Sequence, residues 1–243
     1  MSKTQKTLQV LSILLFSIGL LFGLILWGGS AWADLEGYLF DPGLPAEQRL
    51  SNIRCPLVIT SDEIGLVSMV FNNPVDRPLK QSVRARVSYG FVTQMKEINT
   101  TLEMEPFETR ELAWEVSPTE AAWNRLVLVR LYMFRSAPLP SRTATCGILV
   151  LDLPGMTGSQ VVTLVSLIGL LGMAGGIGLW YRANRPLTPK PRYALNIMIG
   201  LVLMVAAGLA LTLAGYWAFA GLLFLLGLVA IAVVLAYFFQ SSR

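Results

Sequence analysis

Histidine is absent from this 243-residue chain, and cysteine occurs only twice. The first absence removes Ser-His-Asp and Cys-His catalysis, His-ligated zinc and the usual haem ligands. Two cysteines cannot build a four-cysteine metal site, and neither has a histidine to serve as its base. Acid is missing from most of the chain. All fifteen Asp and Glu residues lie between Asp34 and Asp152. Charge of either sign is missing from three long stretches: 8–32, 160–181 and the 47 residues 194–240. No P-loop occurs, and no G-x-G-x-x-G opens a helix after a strand. No cofactor and no metal site are expected.

What is present is apolar. Mean hydropathy is +0.59 and only 14% of residues are charged, too little for an ordinary soluble domain. A crossing needs about 20 apolar residues, so the longest uncharged stretch holds two. It divides near Gly215-Tyr216-Trp217, where Gly permits a turn and the aromatic rings favour an interface. Four crossings are read: 8–32, 160–181, 194–214 and 218–239. They contain no Asp, Glu, Lys or Arg, which counts against an ion-coupled transporter. Asn196 falls at a helix end.

The cations orient the crossings. Lys3 and Lys6 place the N-terminus in the cytoplasm. Arg182, Arg185, Lys190 and Arg192 make 182–193 a basic cytoplasmic loop, stiffened by Pro186, Pro189 and Pro191, and Arg243 brings the C-terminus inside. Segment 34–158 then lies outside with twelve basic and fifteen acidic residues. The overall charge of +4 is therefore a topology signal, and nucleic acid is not an expected partner. The expected location is the cytoplasmic (plasma) membrane. Ala31-Trp32-Ala33 before Asp34 has the form of a signal-peptidase site. The preceding apolar run of about 20 residues exceeds a usual signal core, so 1–33 is read as a retained anchor, with a cleaved signal peptide as the alternative.

Segment 34–158 opens with the turn formers Asp41-Pro42-Gly43 and Pro45. Short β-rich runs follow at 57–60, 65–72, 81–91, 97–104, 109–116, 125–134 and 143–153. Val83, Ala85, Val87 and Tyr89 alternate with Arg84, Arg86 and Ser88, the period of a half-buried strand. The fold class is therefore an α plus β membrane protein. One transmembrane helix precedes an extracytoplasmic antiparallel β-sandwich, and a three-helix region, 159–243, follows it. Cys55 and Cys146 flank the domain, and an outside location permits a bridge between them.

Residues 66–87 run from a hydrophobic strand ending in Asn, through a polar turn with Pro, into a second alternating strand. This resembles bacterial Ig-like domains of the cell-adhesion-related type, over residues 55–150. The resemblance implies a sandwich that binds or scaffolds, and it brings no functional residues.

Other candidate groups have plainer readings beside the functional ones. The acids Glu97, Glu103, Glu105, Glu108, Glu111, Glu115 and Glu120 are read as the solvated face of two strands rather than a glycosidase pair. Asp62, Glu63 and Asp76 lack calcium-loop spacing. Asn99-Thr100-Thr101 fits a glycosylation sequon. Trp114, Trp123, Tyr132 and Phe134 are either core or an aromatic surface for a partner or glycan. Gly172 with Gly176, Ala174 with Gly178, and Ala206 with Ala210 have the spacing that lets helices approach closely. The expected function is a non-enzymatic accessory or scaffold subunit whose sandwich binds a protein partner of a larger membrane complex. The alternatives are a glycan or cell-wall binding module, and a membrane enzyme or transporter. The bilayer is an expected partner, and the sequence names no small-molecule ligand.

Overall fold

The computed structural model describes residues 3–43, 45–50 and 53–241, with side chains left out at Lys3 and from 234 onward. Arg243 lies outside the described residues. The chain forms two compact units. Residues up to Ala31 and from Thr163 form the first, and Trp32–Val162 the second.

Among the described residues there are four α-helices: α1 Lys3–Leu39, α2 Gly158–Ala183, α3 Pro189–Leu213 and α4 Trp217–Ser241. Three of them, and the stretch Trp217–Val233 of α4, are strongly apolar, and α1, α2 and α3 are long and apolar enough to cross a membrane. At 1.5 Å per residue the 37 residues of α1 span about 55 Å. The helix continues past position 32, where the crossing read from the sequence ends. Ala33, Gly37 and Phe40 are buried on one face, and that packing carries the helix through Asp34 and Glu36 to Leu39. The basic loop is shorter than 182–193. Arg182 closes α2 and Lys190 and Arg192 lie in the first turn of α3, which has Pro at its start and Thr188 at its N-cap.

Within the helical unit, glycine sets the approach distances. A Cβ on Gly172 would lie 2.8 Å from the Gly19 Cα, and one on Gly176 would lie 2.6 Å from the Phe16 Cβ. Ser12 donates to the Gly176 carbonyl at 2.7 Å. Trp27 is fully buried and meets Phe224 edge-on at 5.1 Å. A Cβ on Gly208 would lie 2.0 Å from the Trp27 indole. Gly208 is thus the position on α3 that admits a ring.

The second unit is a sandwich of two sheets. Its strands are β1 Gln48–Arg49, β2 Ile53–Arg54, β3 Val58–Thr60, β4 Gly65–Asn72, β5 Leu79–Tyr89, β6 Phe91–Met104, β7 Thr109–Val116, β8 Leu126–Met133 and β9 Arg142–Leu151. One sheet has the order β1-β9-β8-β5-β6, with β3 also on β9; the other is β2-β4-β7. β1 and β3 run parallel to β9, so the sandwich is not wholly antiparallel as the sequence suggests. Val67, Met69 and Trp114 from one sheet share a core with Val83, Val129 and Ile148 from the other. The alternation in β5 breaks at its end. The register shifts between Ser88 and Tyr89. Ser88 is buried there, donating to the Glu120 carbonyl and accepting from the Leu128 amide, and Tyr89 turns outward. β6 begins at Phe91, directly after the turn, rather than at Glu97.

Cys55 and Cys146 form a disulfide. Cys146 sits in mid-strand opposite Val129 and Cys55 just after β2, so the bridge ties the two sheets across the core. Because it closes a sequence separation of 91 residues, chain entropy gives it about 4–5 kcal/mol. Unreduced denatured protein should therefore resist thiol alkylation, and Cys55→Ala should lower sandwich stability by a few kcal/mol in denaturant titration. Full alkylation without reductant contradicts this.

Candidate functional site

The outer face of the larger sheet is not open. Leu126 and Leu128 of β8 point away from the shared core and pack with Ala33 and Phe40 at the end of α1. The approach is close enough to require glycine on both sides. A Cβ on Gly147 would fall 1.8 Å from the Ala33 carbonyl oxygen, and one on Gly37 would fall 2.6 Å from the Cys146 carbonyl carbon. Neither glycine has a positive φ, so steric contact alone excludes a side chain.

Polar groups finish the seat. Arg130 of β8 donates through Nη1 to the carbonyl of Phe40 at 2.8 Å and to that of Asp41. It thereby satisfies carbonyls left open where α1 ends, where a cation also suits the helix dipole. Burial pushes the Arg130 guanidinium below its usual value, with the Asp41 carboxylate opposing that shift. Arg86 of β5 pairs with Asp41 and also with Glu97 at 3.1 Å. The Asp41 hydrogen bond holds Arg86 above its usual value. Asp41 adopts φ +47, left-handed backbone that Asp tolerates better than most residues. Beyond it, Tyr38, Pro42, Pro45, Arg49, Arg130 and Thr143 line a cavity of about 370 Å³. Arg49 stacks over Tyr38 at 4.7 Å. These guanidinium groups are engaged with carbonyls, a carboxylate and a ring, which is the chemistry of a clamp.

The aromatic residues singled out in the sequence do not share one surface. Trp114 is buried in the core. Tyr132 and Phe134 meet edge-on at 4.9 Å on the outer face of the larger sheet. Arg84 lies over Phe134 at 4.9 Å, and the Tyr132 hydroxyl donates to the Pro45 carbonyl. Trp123 is half exposed in the turn before β8. A four-residue platform is thus excluded by strand register, which sends Trp114 inward.

The acids lie mostly on the solvated faces of β6 and β7. Lys80 pairs with Glu103 at 2.8 Å and Arg110 with Glu108 at 2.7 Å, and each partner holds its carboxylate below the usual range, with the Glu105 amide acting first on Glu108. Glu120 is the exception. It is buried, caps a short 3-10 turn with Ser117 and accepts from Lys96 at 2.7 Å. Glu63 accepts from the Gly158 amide at 2.6 Å, at the start of α2. Asp62 and Glu63 precede β4 and Asp76 follows it, so they lie at opposite ends of the sandwich. Among the described residues, no group of three His, Cys, Asp or Glu side chains could hold a metal ion.

In the helical unit, Gly172 and Gly176 face α1, as their contacts above establish. Ala174, Gly178, Ala206 and Ala210 are exposed, and a Cβ on Gly178 would meet nothing within 4 Å. Two positions along an α-helix is about 200°, so Ala174 and Gly178 occupy the face opposite Gly172 and Gly176. Gly208, which the spacing did not single out, is the glycine that packs on α3. Lys6, Arg182, Arg185, Lys190 and Arg192 are exposed, and Arg185 lies over the Tyr181 ring at 4.3 Å.

No family model matches the sequence, and no curated protein matches it. Solved structures that resemble part of it include the CARDB domain of a Pyrococcus furiosus protein, at 14% identity and a TM-score of 0.32, covering 42% of this chain and 90% of that one. An alkylpurine DNA glycosylase from Pseudomonas fluorescens matches at 12% identity and 0.31, covering 41% of this chain and 30% of its own. A β-glucuronidase from Bacteroides uniformis matches at 14% and 0.28, over 40% of this chain and 12% of its own. Likeness at this level assigns no activity.

The glycine contact between α1 and β9 gives a direct expectation. Gly147→Leu should destabilise the sandwich by about 1–3 kcal/mol in denaturant titration through overpacking, or displace the end of α1 and open 33–40 to protease. Gly178→Ala should do neither. Wild-type stability and protection in Gly147→Leu contradict the packing.

Proposed function

We propose that the chain is an integral membrane accessory or scaffold subunit without an enzymatic role, whose sandwich binds a protein partner on the extracytoplasmic side. The observation that carries the membrane part is the outward surface of the helical unit. Leu170, Leu171, Leu203, Leu213, Phe219 and Leu225 are each more than half exposed, from 58% to 70%. Burying such surface is worth about 25 cal/mol per Å², and lipid is the solvent that removes the cost of leaving it outside. The orientation follows from the cations. Lys6 lies inside, as do Arg182, Arg185, Lys190 and Arg192 around the α2–α3 connection, and the acid-bearing sandwich lies outside. The Ig-like reading rests on the two-sheet sandwich and the 66–87 pattern.

The partner part is supported by the division of surface chemistry. The sandwich carries every acid and presents paired charges along β5 and β6. The helices present small residues, Ala174, Gly178, Ala206 and Ala210, on faces unoccupied by this chain's own described helices, and small residues allow a partner helix to approach. The sandwich thus gives partner choice and the helices give membrane residence and lateral packing. A glycan-binding reading draws on Tyr132 and Phe134, whose pairing with each other and with Arg84 leaves them half-buried.

Two experiments test this. A reporter fused after Arg243 should be active only in the cytoplasm; activity in the periplasm overturns the topology. Mild-detergent purification of the full chain should bring down a defined membrane-protein partner. Deleting 34–155 should abolish that selectivity while the helices still insert. Full, selective association by the helices alone contradicts the assignment of specificity to the sandwich.

A further inference from the structure

Five exposed large apolar side chains of the sandwich, Tyr89, Phe91, Trp123, Ile64 and Leu153, gather at one end. Tyr89 and Phe91 flank the β5–β6 turn at Gly90. Trp123 precedes β8, and its amide donates to the Gly90 carbonyl at 3.0 Å. Ile64 immediately precedes β4, and Leu153 follows β9. The register places these turns together: Leu126 is opposite Leu149, Thr60 opposite Leu151, and Gly65 opposite Val116. At the other end, Phe107 stands alone as the exposed large apolar side chain among the described residues of the turns.

The same end is where the chain leaves for α2. Thr60 donates to the Met156 carbonyl at 2.7 Å, and the Gly158 amide donates to Glu63 at 2.6 Å, which ties the exit to the turn before Ile64. Trp32, also exposed, lies one residue before the Ala33 contact with Leu126 and Leu128. We propose that this end of the sandwich is a lipid-facing surface seated in the headgroup layer of the bilayer, with Tyr89, Phe91 and Trp123 as its anchors. This rests on the reading that the apolar helices cross the membrane.

The chemistry of the end fits that layer. Trp and Tyr have an apolar body and a polar tip and concentrate at membrane–water boundaries. Asp62, Arg125 and Asp152 are exposed among the apolar groups, which suits the polar headgroups and not the hydrocarbon. The turn itself is costly. Trp123 and Asn124 have φ of +52 and +56, a tight hairpin geometry that favours Asn and Gly, with Arg125 donating back to the Ala122 carbonyl. A bulky ring in left-handed backbone is an outlier that burial in the sandwich does not repay, because the ring is 49% exposed.

Collision measurements on a nitroxide test the assignment. The native cysteines are bridged, so a single introduced cysteine can be labelled in the full chain, reconstituted in phosphatidylcholine–phosphatidylglycerol vesicles. The sites are Phe91→Cys and Trp123→Cys, with Phe107→Cys for the far end and Leu203→Cys for the helices. At 91 and 123, collisions with oxygen relative to a water-soluble nickel chelate should exceed those at 107 severalfold. If 203 reads as lipid while 91 and 123 match 107, the surface is aqueous and the proposal falls while the membrane reading stands. If 91 and 123 are shielded from both reagents, a second copy of the chain covers them and the proposal falls. If 203 reads as water, both fall. Should Trp123→Cys lose the sandwich fold, Phe91→Cys alone decides.

Discussion

The sandwich depends on the seating of the last turns of α1 against the outer face of β8 and β9. That face carries Leu126 and Leu128, which the shared core between the sheets does not reach. Ala33 and Phe40 cover them. Gly37 and Gly147 remove the side chains that would hold the two backbones apart. Arg130 and Arg86 then fix the point where the helix ends, through the carbonyls of Phe40 and Asp41 and the Asp41 carboxylate. Truncating either arginine would leave buried polar groups without partners, which costs more than the net value of the bonds themselves. The segment that reads as the end of a membrane anchor is therefore also a structural part of the sandwich.

Two other constraints act independently of that seat. The disulfide joins the sheets from within, at a buried position of β9 opposite Val129. In the helical unit, Trp27 occupies space that Gly208 leaves open and meets Phe224 edge-on. Gly172 and Gly176 bring α2 against Phe16 and Gly19. The helical contacts are constraints of shape, whereas the disulfide is covalent. Close approach to a glycine backbone recurs at each of these helical contacts.

Much of this was legible in the sequence for identifiable reasons. Helices α2, α3 and α4 were visible because uncharged runs of that length have few other uses. The strands from β3 to β9 were visible because Pro and Asn turns punctuate alternating patterns. Failures occurred where long-range packing overrode local pattern. Helix α1 runs past Asp34 because its far face finds the sheet, and no local signal announces a sheet partner so distant in sequence. Tyr89 left the face of Val83, Ala85 and Val87 because of an irregularity at Ser88. Gly208 carries no spacing signal because the ring it accommodates is distant in sequence, whereas Ala206 and Ala210 have the spacing and are exposed. Gly37 and Gly147, both held by close backbone approach, carry no motif at all.

The most direct measurement of the central claim is amide hydrogen exchange on the full chain in vesicles, resolved to α1 and the strands. Backbone amides from 33 to 40 should exchange as slowly as those of β8 and β9, and all three should be released together as denaturant is raised, because they open as one cooperative unit. Rapid exchange at 33–40 while β8 and β9 remain protected would show that the end of α1 is not part of the sandwich.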